Sequence, residues 1–178
     1  MIRKKTDVSI AVGLKPQILE LAKSKQISHS SMENFWELVE EISHFTYLTF
    51  CLRIQKPISL LDMEMQGEID KYVLTQDLFD TDHTLYTKLF HQYSLRSHLN
   101  PEEKQRYHTA NRLGAKFIRS LTQKKYGRFF WSEGLLRRFR DFYRRASFEK
   151  CRWVESKLSF YSRKEMEKIF AQSMRSCR

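Results

Sequence analysis

Five glycines and three prolines are all the backbone punctuation available to this chain of 178 residues. Average usage would supply about two to three times as many. Sandwiches and small barrels consume glycine at their tight turns, so a turn-rich β fold is disfavoured and helix becomes the default state. Hydrophobic residues make up 41% and charged residues 30% of the chain. That apolar content excludes a disordered protein, and the length suits one compact core better than two domains.

The few breakers fall where helix ends are expected. Pro16 opens a short helix to about Lys25, with Ile18, Leu19, Leu21 and Ala22 on one side. Ser30-Ser31-Met32-Glu33 reads as a capping box ahead of a long amphipathic stretch in which Phe35, Leu38, Val39, Ile42, Phe45, Leu48 and Leu52 recur at helical intervals up to Lys56-Pro57. The second half of that stretch, Phe45 to Ile54, is rich in β-formers, and strand is the competing assignment. Ser59 caps the next helix, about Leu60 to Phe79, with Leu61, Met65, Ile69, Tyr72 and Val73 as its stripe. A helix over about His83 to Leu99 follows. Asn100-Pro101-Glu102-Glu103 then starts another, whose core face is Tyr107, Ala110, Gly114, Phe117, Ile118 and Leu121 and which Tyr126-Gly127 closes. Ser132 caps a last long helix to about Phe160, and Ser162-Arg163-Lys164-Glu165 opens a terminal one to about Met174. No repeat, linker or low-complexity tract interrupts the pattern. The expectation is a single all-α domain over residues 16–178, six or seven helices in a largely antiparallel bundle, preceded by a flexible basic arm over residues 1–15.

Charge is distributed unevenly. The formal net charge is +11. Residues 1–100 hold 11 basic against 13 acidic groups, net −2, and residues 101–178 hold 21 against 8, net +13. Helices over 31–82 are therefore acidic and helices over 101–174 basic. Between Arg112 and Lys164 the candidate phosphate-binding residues are Arg112, Lys116, Arg119, Lys124, Lys125, Arg128, Arg137, Arg138, Arg140, Arg144, Arg145 and Arg152. Arg137 with Arg144, and Arg138 with Arg145 and Arg152, recur every seven residues, lining two stripes of one helix beside the apolar face of Leu135, Phe139, Phe142 and Ala146. Arginine presents a planar fork of donors that matches phosphate oxygens, and interleaved aromatics suit base stacking. Two plainer explanations compete: the aromatics are core, and the arginines pair with the acidic helices. Pairing cannot absorb the whole excess, since 32 cations exceed 21 acids.

Signatures of catalysis are missing. The glycines are isolated, so no phosphate-cradling loop can be written, and neither a G-x-S-x-G elbow nor an H-E-x-x-H pair occurs. Glu41-x-x-His44 and Asp80-x-x-His83 have the spacing of helical metal ligands, but six histidines among 21 acids produce such pairs by chance, and no metal or other cofactor is expected. His83, His91 and His98 read as surface histidines on a shared helix face. Cys151, beside Arg145, Lys150 and Arg152, invites a reactive thiolate, against the plainer reading of a half-buried thiol. Cys51, Cys151 and Cys177 are odd in number and far apart, which fits a reducing compartment rather than a disulfide framework. The start of the chain imitates a signal peptide only faintly, and the longest apolar stretch is too interrupted to span a bilayer. A non-enzymatic, cytoplasmic nucleic-acid-binding protein, DNA or RNA, is the expectation. An adaptor for an acidic protein partner, peripheral attachment to an anionic membrane, and homo-oligomerisation are the alternatives.

Overall fold

The computed structural model describes residues 9–24, 31–79, 84–95, 97–122 and 132–157. They form seven helices: α1 (Pro16–Ser24), α2 (Met32–Arg53), α3 (Leu60–Leu78), α4 (Thr84–Phe90), α5 (Pro101–Thr122), α6 (Glu133–Arg144) and α7 (Ser147–Lys157). The all-α expectation holds, and no strand occurs among the described residues. Residues 45–53 are helical, because burial of Tyr47 and Cys51 at i,i+4 spacing outweighs the β propensity of their neighbours.

Several ends are set by the side chains the sequence marks. Pro16 begins α1. Ser59 Oγ accepts from the Asp62 amide at the start of α3, and Ser132 Oγ from the Leu135 amide at the start of α6. At α5 the box is reciprocal: Asn100 Oδ1 accepts from the Glu103 amide while the Asn100 amide donates to Glu103 Oε2, each at 2.9 Å. Helix α2 starts at Met32 with Ser31 in the cap position; Ser30, the Tyr126-Gly127 stop and the Ser162 box lie outside the described residues.

Helix α3 is the centre of the bundle, packed between α2 and α5. Contacts with α2 pair Phe35 with Phe79, Trp36 with Thr75, Ser43 with Asp70 and His44 with Glu64, so the two helices run antiparallel. Contacts with α5 pair Glu64 with Arg106 and Glu68 with Asn111, so those two run parallel. Gly114 allows the close approach, since a Cβ there would lie 3.3 Å from the Cβ of Glu68. The core joins Met65, Ile69, Tyr72 and Val73 of α3 to Leu85, Leu89 and Phe90 of α4, Ala110, Leu113, Phe117 and Ile118 of α5, Phe142 of α6 and Val154 of α7. Phe117 anchors the second half of the chain: its ring stacks on Phe142 at 3.9 Å between centroids and meets Trp153 at 5.6 Å. The aromatics-as-core reading is therefore correct for Phe139, Phe142 and Trp153; Phe129, Phe130 and Trp131 lie outside the described residues.

Three expectations are corrected. Helix α4 stops at Phe90 instead of reaching Leu99, and His91 and His98 are exposed on the irregular segment that follows. After Phe90 the three- and four-residue repeat lapses, since Tyr93 and Leu95 stand two apart among polar Gln92, Ser94 and Ser97. The expected helix from Ser132 to Phe160 is two helices. Arg145 is extended (φ −64°, ψ 147°), and the Ala146 amide donates to Glu149 Oε2, so Glu149 closes a fresh N-terminus. The buried face of α2 is also rotated from the expected stripe. Phe35, Val39, Ser43, Tyr47 and Cys51 point inward while Ile42 is 51% exposed. Ser43 and Tyr47 turn in because buried polar partners on α3 and α7 await them.

Candidate nucleic-acid interface

Helix α6 places its apolar residues Leu135, Leu136, Phe139, Phe142 and Tyr143 toward the bundle and leaves Arg137, Arg138, Arg140 and Arg144 exposed on the outside. Arg137, Arg140 and Arg144 share a stripe by their three- and four-residue spacing. Glu133 lies 4.0 Å from Arg137, an exposed pair of small energetic weight. Arg138, Arg140, Arg144 and Arg145 have no carboxylate within ion-pair distance among the described residues.

Five carboxylates of the acidic helices, Glu37, Glu40, Asp62, Glu64 and Glu68, have cationic partners other than the α6 arginines, whereas Glu33 is exposed on α2. Lys71 sits 3.0 Å from Glu40 and 2.6 Å from Glu68. Burial alone would lower the Lys71 ammonium, but Glu68 and Glu40 outweigh it and hold its pKa well above the ordinary value. Arg106 faces Glu64 at 3.7 Å, and Lys15 faces Glu37 at 2.5 Å. Asp70 accepts from Ser43 Oγ and Gln66 Nε2. Burial, with Glu40 nearby, pushes the Glu64 carboxyl up to about 7 against the opposing pull of Arg106.

Lys150, a cation beside Cys151 in the basic half of the chain, is fully buried. Its ammonium lies 3.4 Å from Asp62 and donates to the Tyr47 hydroxyl at 2.8 Å, over the Tyr47 ring at 4.4 Å from the centroid. Lys56 donates to the same hydroxyl and to the Tyr143 carbonyl. Burial pushes Lys150 down to about 8, Lys56 adds to that, and Asp62 opposes it. Burial and the Asp62 carboxylate hold the Tyr47 hydroxyl far above its ordinary pKa. Lys150 is thus a structural anchor of α7, a role that the alternation of charge in sequence does not signal.

The remaining candidates divide between two places. On α5, Arg112 is exposed and meets Glu155 of α7 at 3.6 Å; Lys116 is half-buried, with its pKa lowered by burial and by Arg112; Arg119 is half-buried near His91. On α7, Arg152 is exposed and stands over the ring of Phe148, 5.3 Å from its centroid. The break at Arg145–Ala146 means that Arg138, Arg145 and Arg152 do not form one continuous stripe. Lys124, Lys125 and Arg128 lie outside the described residues. Phe148, 66% exposed beside Arg152, is an aromatic that the candidates read from sequence left out; falling off the apolar stripe was its only signal.

Between α2, α3 and α6 lies a groove of about 530 Å³ lined by apolar Val39, Ile42, Phe50, Val73 and Leu74 and by Gln66, Asp70, Arg140, Tyr143 and Arg144. Cys151 is not activated: burial, together with Asp62 and Glu155, raises its thiol pKa. His44 sits beside Glu64 and Glu40 rather than Glu41, and Asp80 and His83 lie outside the described residues. No described helix is long and apolar enough to cross a membrane. No protein-family model, curated protein or solved structure matches the chain.

Proposed function

We propose that the protein is a non-enzymatic nucleic-acid-binding protein that contacts phosphates through the outer face of α6, assisted by Arg112, Lys116 and Arg119 of α5 and by Arg152 beside Phe148. One observation carries this reading: Glu37, Glu40, Asp62, Glu64 and Glu68 are engaged with Lys15, Lys71, Arg106 and Lys150, while Arg137, Arg138, Arg140 and Arg144 remain exposed on one helix. Guanidinium groups held on a rigid helix bind phosphate oxygens bidentately and track a backbone without reading sequence. The exposed Phe148 ring supplies a π-face for an unpaired base, which favours single-stranded nucleic acid. Free Cys51 and Cys151 accord with a cytoplasmic setting.

The test is the salt dependence of binding to single-stranded DNA and RNA oligonucleotides. Log affinity falls linearly with log salt, and replacing Arg137, Arg138, Arg140 and Arg144 by Gln flattens the slope by about 0.7 for each phosphate no longer engaged. An unchanged slope, or no binding at low salt, refutes the reading.

The groove beside Arg140 and Arg144 favours a second one, an acidic amphipathic helix of a protein partner lying against Ile42 and Leu74. A stoichiometric protein partner that survives nuclease treatment, and that no longer binds after substitution of Leu74 by Glu, selects it.

A further inference from the structure

Where α2 meets α3, His44 Nε2 and Glu64 Oε2 lie 3.6 Å apart. Both atoms are buried, and neither has a hydrogen-bond partner among the described residues. The Glu64 side chain is 9% exposed, so its orphaned oxygen is shut away from water. A separation of 3.6 Å is too long for a hydrogen bond. It matches the edge of a tetrahedron whose corners lie about 2.1 Å from a central ion, about 3.4 Å. Glu40 brings a third donor, and the three donor atoms lie within 4.8 Å of one another.

The surroundings hold this arrangement. Glu40 and His44 are one helical turn apart on α2 and present their side chains to the same spot on α3. Gly67 of α3 leaves the space they use: a Cβ there would lie 3.3 Å from His44 Nε2 and 3.4 Å from Glu40 Cγ. Arg106 faces Glu64 Oε1, which turns Oε2 toward the imidazole, and Lys71 fixes Glu40 Oε2. Basic groups behind carboxylate ligands orient them and offset the charge they carry.

The geometry points to a binding site for one divalent first-row transition-metal ion, formed by Glu40, His44 and Glu64 and joining α2 to α3. One imidazole nitrogen with two carboxylate oxygens suits zinc, cobalt, manganese or iron(II). Calcium and magnesium prefer all-oxygen shells, and copper(I) prefers thiolate. Glu41, at the i,i+3 spacing of a helical ligand pair, takes no part. The site is independent of the arginine face, so the fate of either reading leaves the other standing.

The experiment uses the full chain and Zn²⁺ alone, followed by calorimetry and by thermal melting, with Co²⁺ as a spectroscopic substitute. The expected result is one equivalent bound, a melting midpoint raised by at least about 5 °C at saturating metal, and a Co²⁺ spectrum with d–d bands and no thiolate charge-transfer band. His44→Asn and Glu64→Gln each weaken binding by about tenfold or more, and His98→Asn, at an exposed histidine, leaves it unchanged. Gly67→Ala, which narrows the site without removing a ligand, weakens it too. Absence of binding up to about 100 μM Zn²⁺ overturns the inference, as does a thiolate band or an affinity indifferent to His44→Asn and Glu64→Gln. Should those two variants fail to fold, the stoichiometry and spectrum of the unmodified protein decide the matter.

Discussion

The Lys150 ammonium lies 3.4 Å from the Asp62 carboxylate, with both side chains at 0% exposure. The pair ties the first turn of α3 to α7, with the Tyr47 hydroxyl as a further acceptor for the lysine. A buried ion pair of this kind is weak evidence for stability but strongly sensitive to the loss of one member. Asp62→Ala is expected to lower the unfolding free energy by about 3–5 kcal/mol, because it leaves an uncompensated buried cation. Asp62→Leu combined with Lys150→Met is expected to return within about 1 kcal/mol of the parent. Urea unfolding of the single and double variants measures the coupling; a double variant as weak as the single would show that the ions themselves hold α7.

The same lysine sets an alkaline pH dependence. Its folded pKa, about 8, lies below the ordinary lysine value of 10.5. Between those two values the unfolded chain binds more protons than the folded one, so stability rises with pH across this window. Tyr47, whose pKa is raised in the fold, acts oppositely above about pH 10, where the unfolded tyrosine ionises first. Unfolding free energy is therefore expected to climb from about pH 8 to about 9.5. In Lys150→Met that climb should disappear, and a slope identical to the parent's would assign it to other groups.

Phe142 is the most deeply buried residue of α6, stacked on Phe117. Phe142→Ala is expected to cost about 3–5 kcal/mol through reduced burial and the cavity it leaves. It should also reduce polyanion binding while all four α6 arginines are still present, because the helix that displays them is no longer held. Chemical denaturation and the oligonucleotide assay together check this. Full affinity after that destabilisation would place the binding surface elsewhere.

Phe148 offers the opposite case. With its ring 66% exposed, Phe148→Ala should change stability by no more than about 0.5 kcal/mol. Removing one stacked base should weaken single-stranded binding by about 1–3 kcal/mol and leave duplex affinity nearly unchanged. Equal effects on both substrates would make the ring a general contact and not a stacking platform.

Much of the architecture was legible because it rests on local chemistry. Ser59, Asn100 and Ser132 cap the helices they were expected to cap, since a side-chain oxygen two or three residues before a free amide needs no tertiary information. The inward turn of Ser43 and Tyr47 was hidden, because what rewards it, Asp70 and Lys150, lies 27 and 103 residues away in sequence. Burial of Lys150 was hidden for the same reason. The separation of α6 from α7 was masked by a helical repeat that continues across Arg145 while the chain bends to bring Lys150 beneath Tyr47. Of the candidate interface, the exposure of the α6 arginines followed from amphipathic spacing. The pairing of Glu37, Glu40, Asp62, Glu64 and Glu68 with Lys15, Lys71, Arg106 and Lys150, rather than with the α6 arginines, required the packed structure.

The bend at Arg145–Ala146 divides two jobs that one unbroken rod would have fused. Helix α7 is tied down by a buried lysine whose loss alone strands the Asp62 carboxylate, and α6 packs on the interior through its apolar side. Evolutionary change can therefore rewrite the outward residues of α6 one at a time without disturbing the anchor a few residues further along.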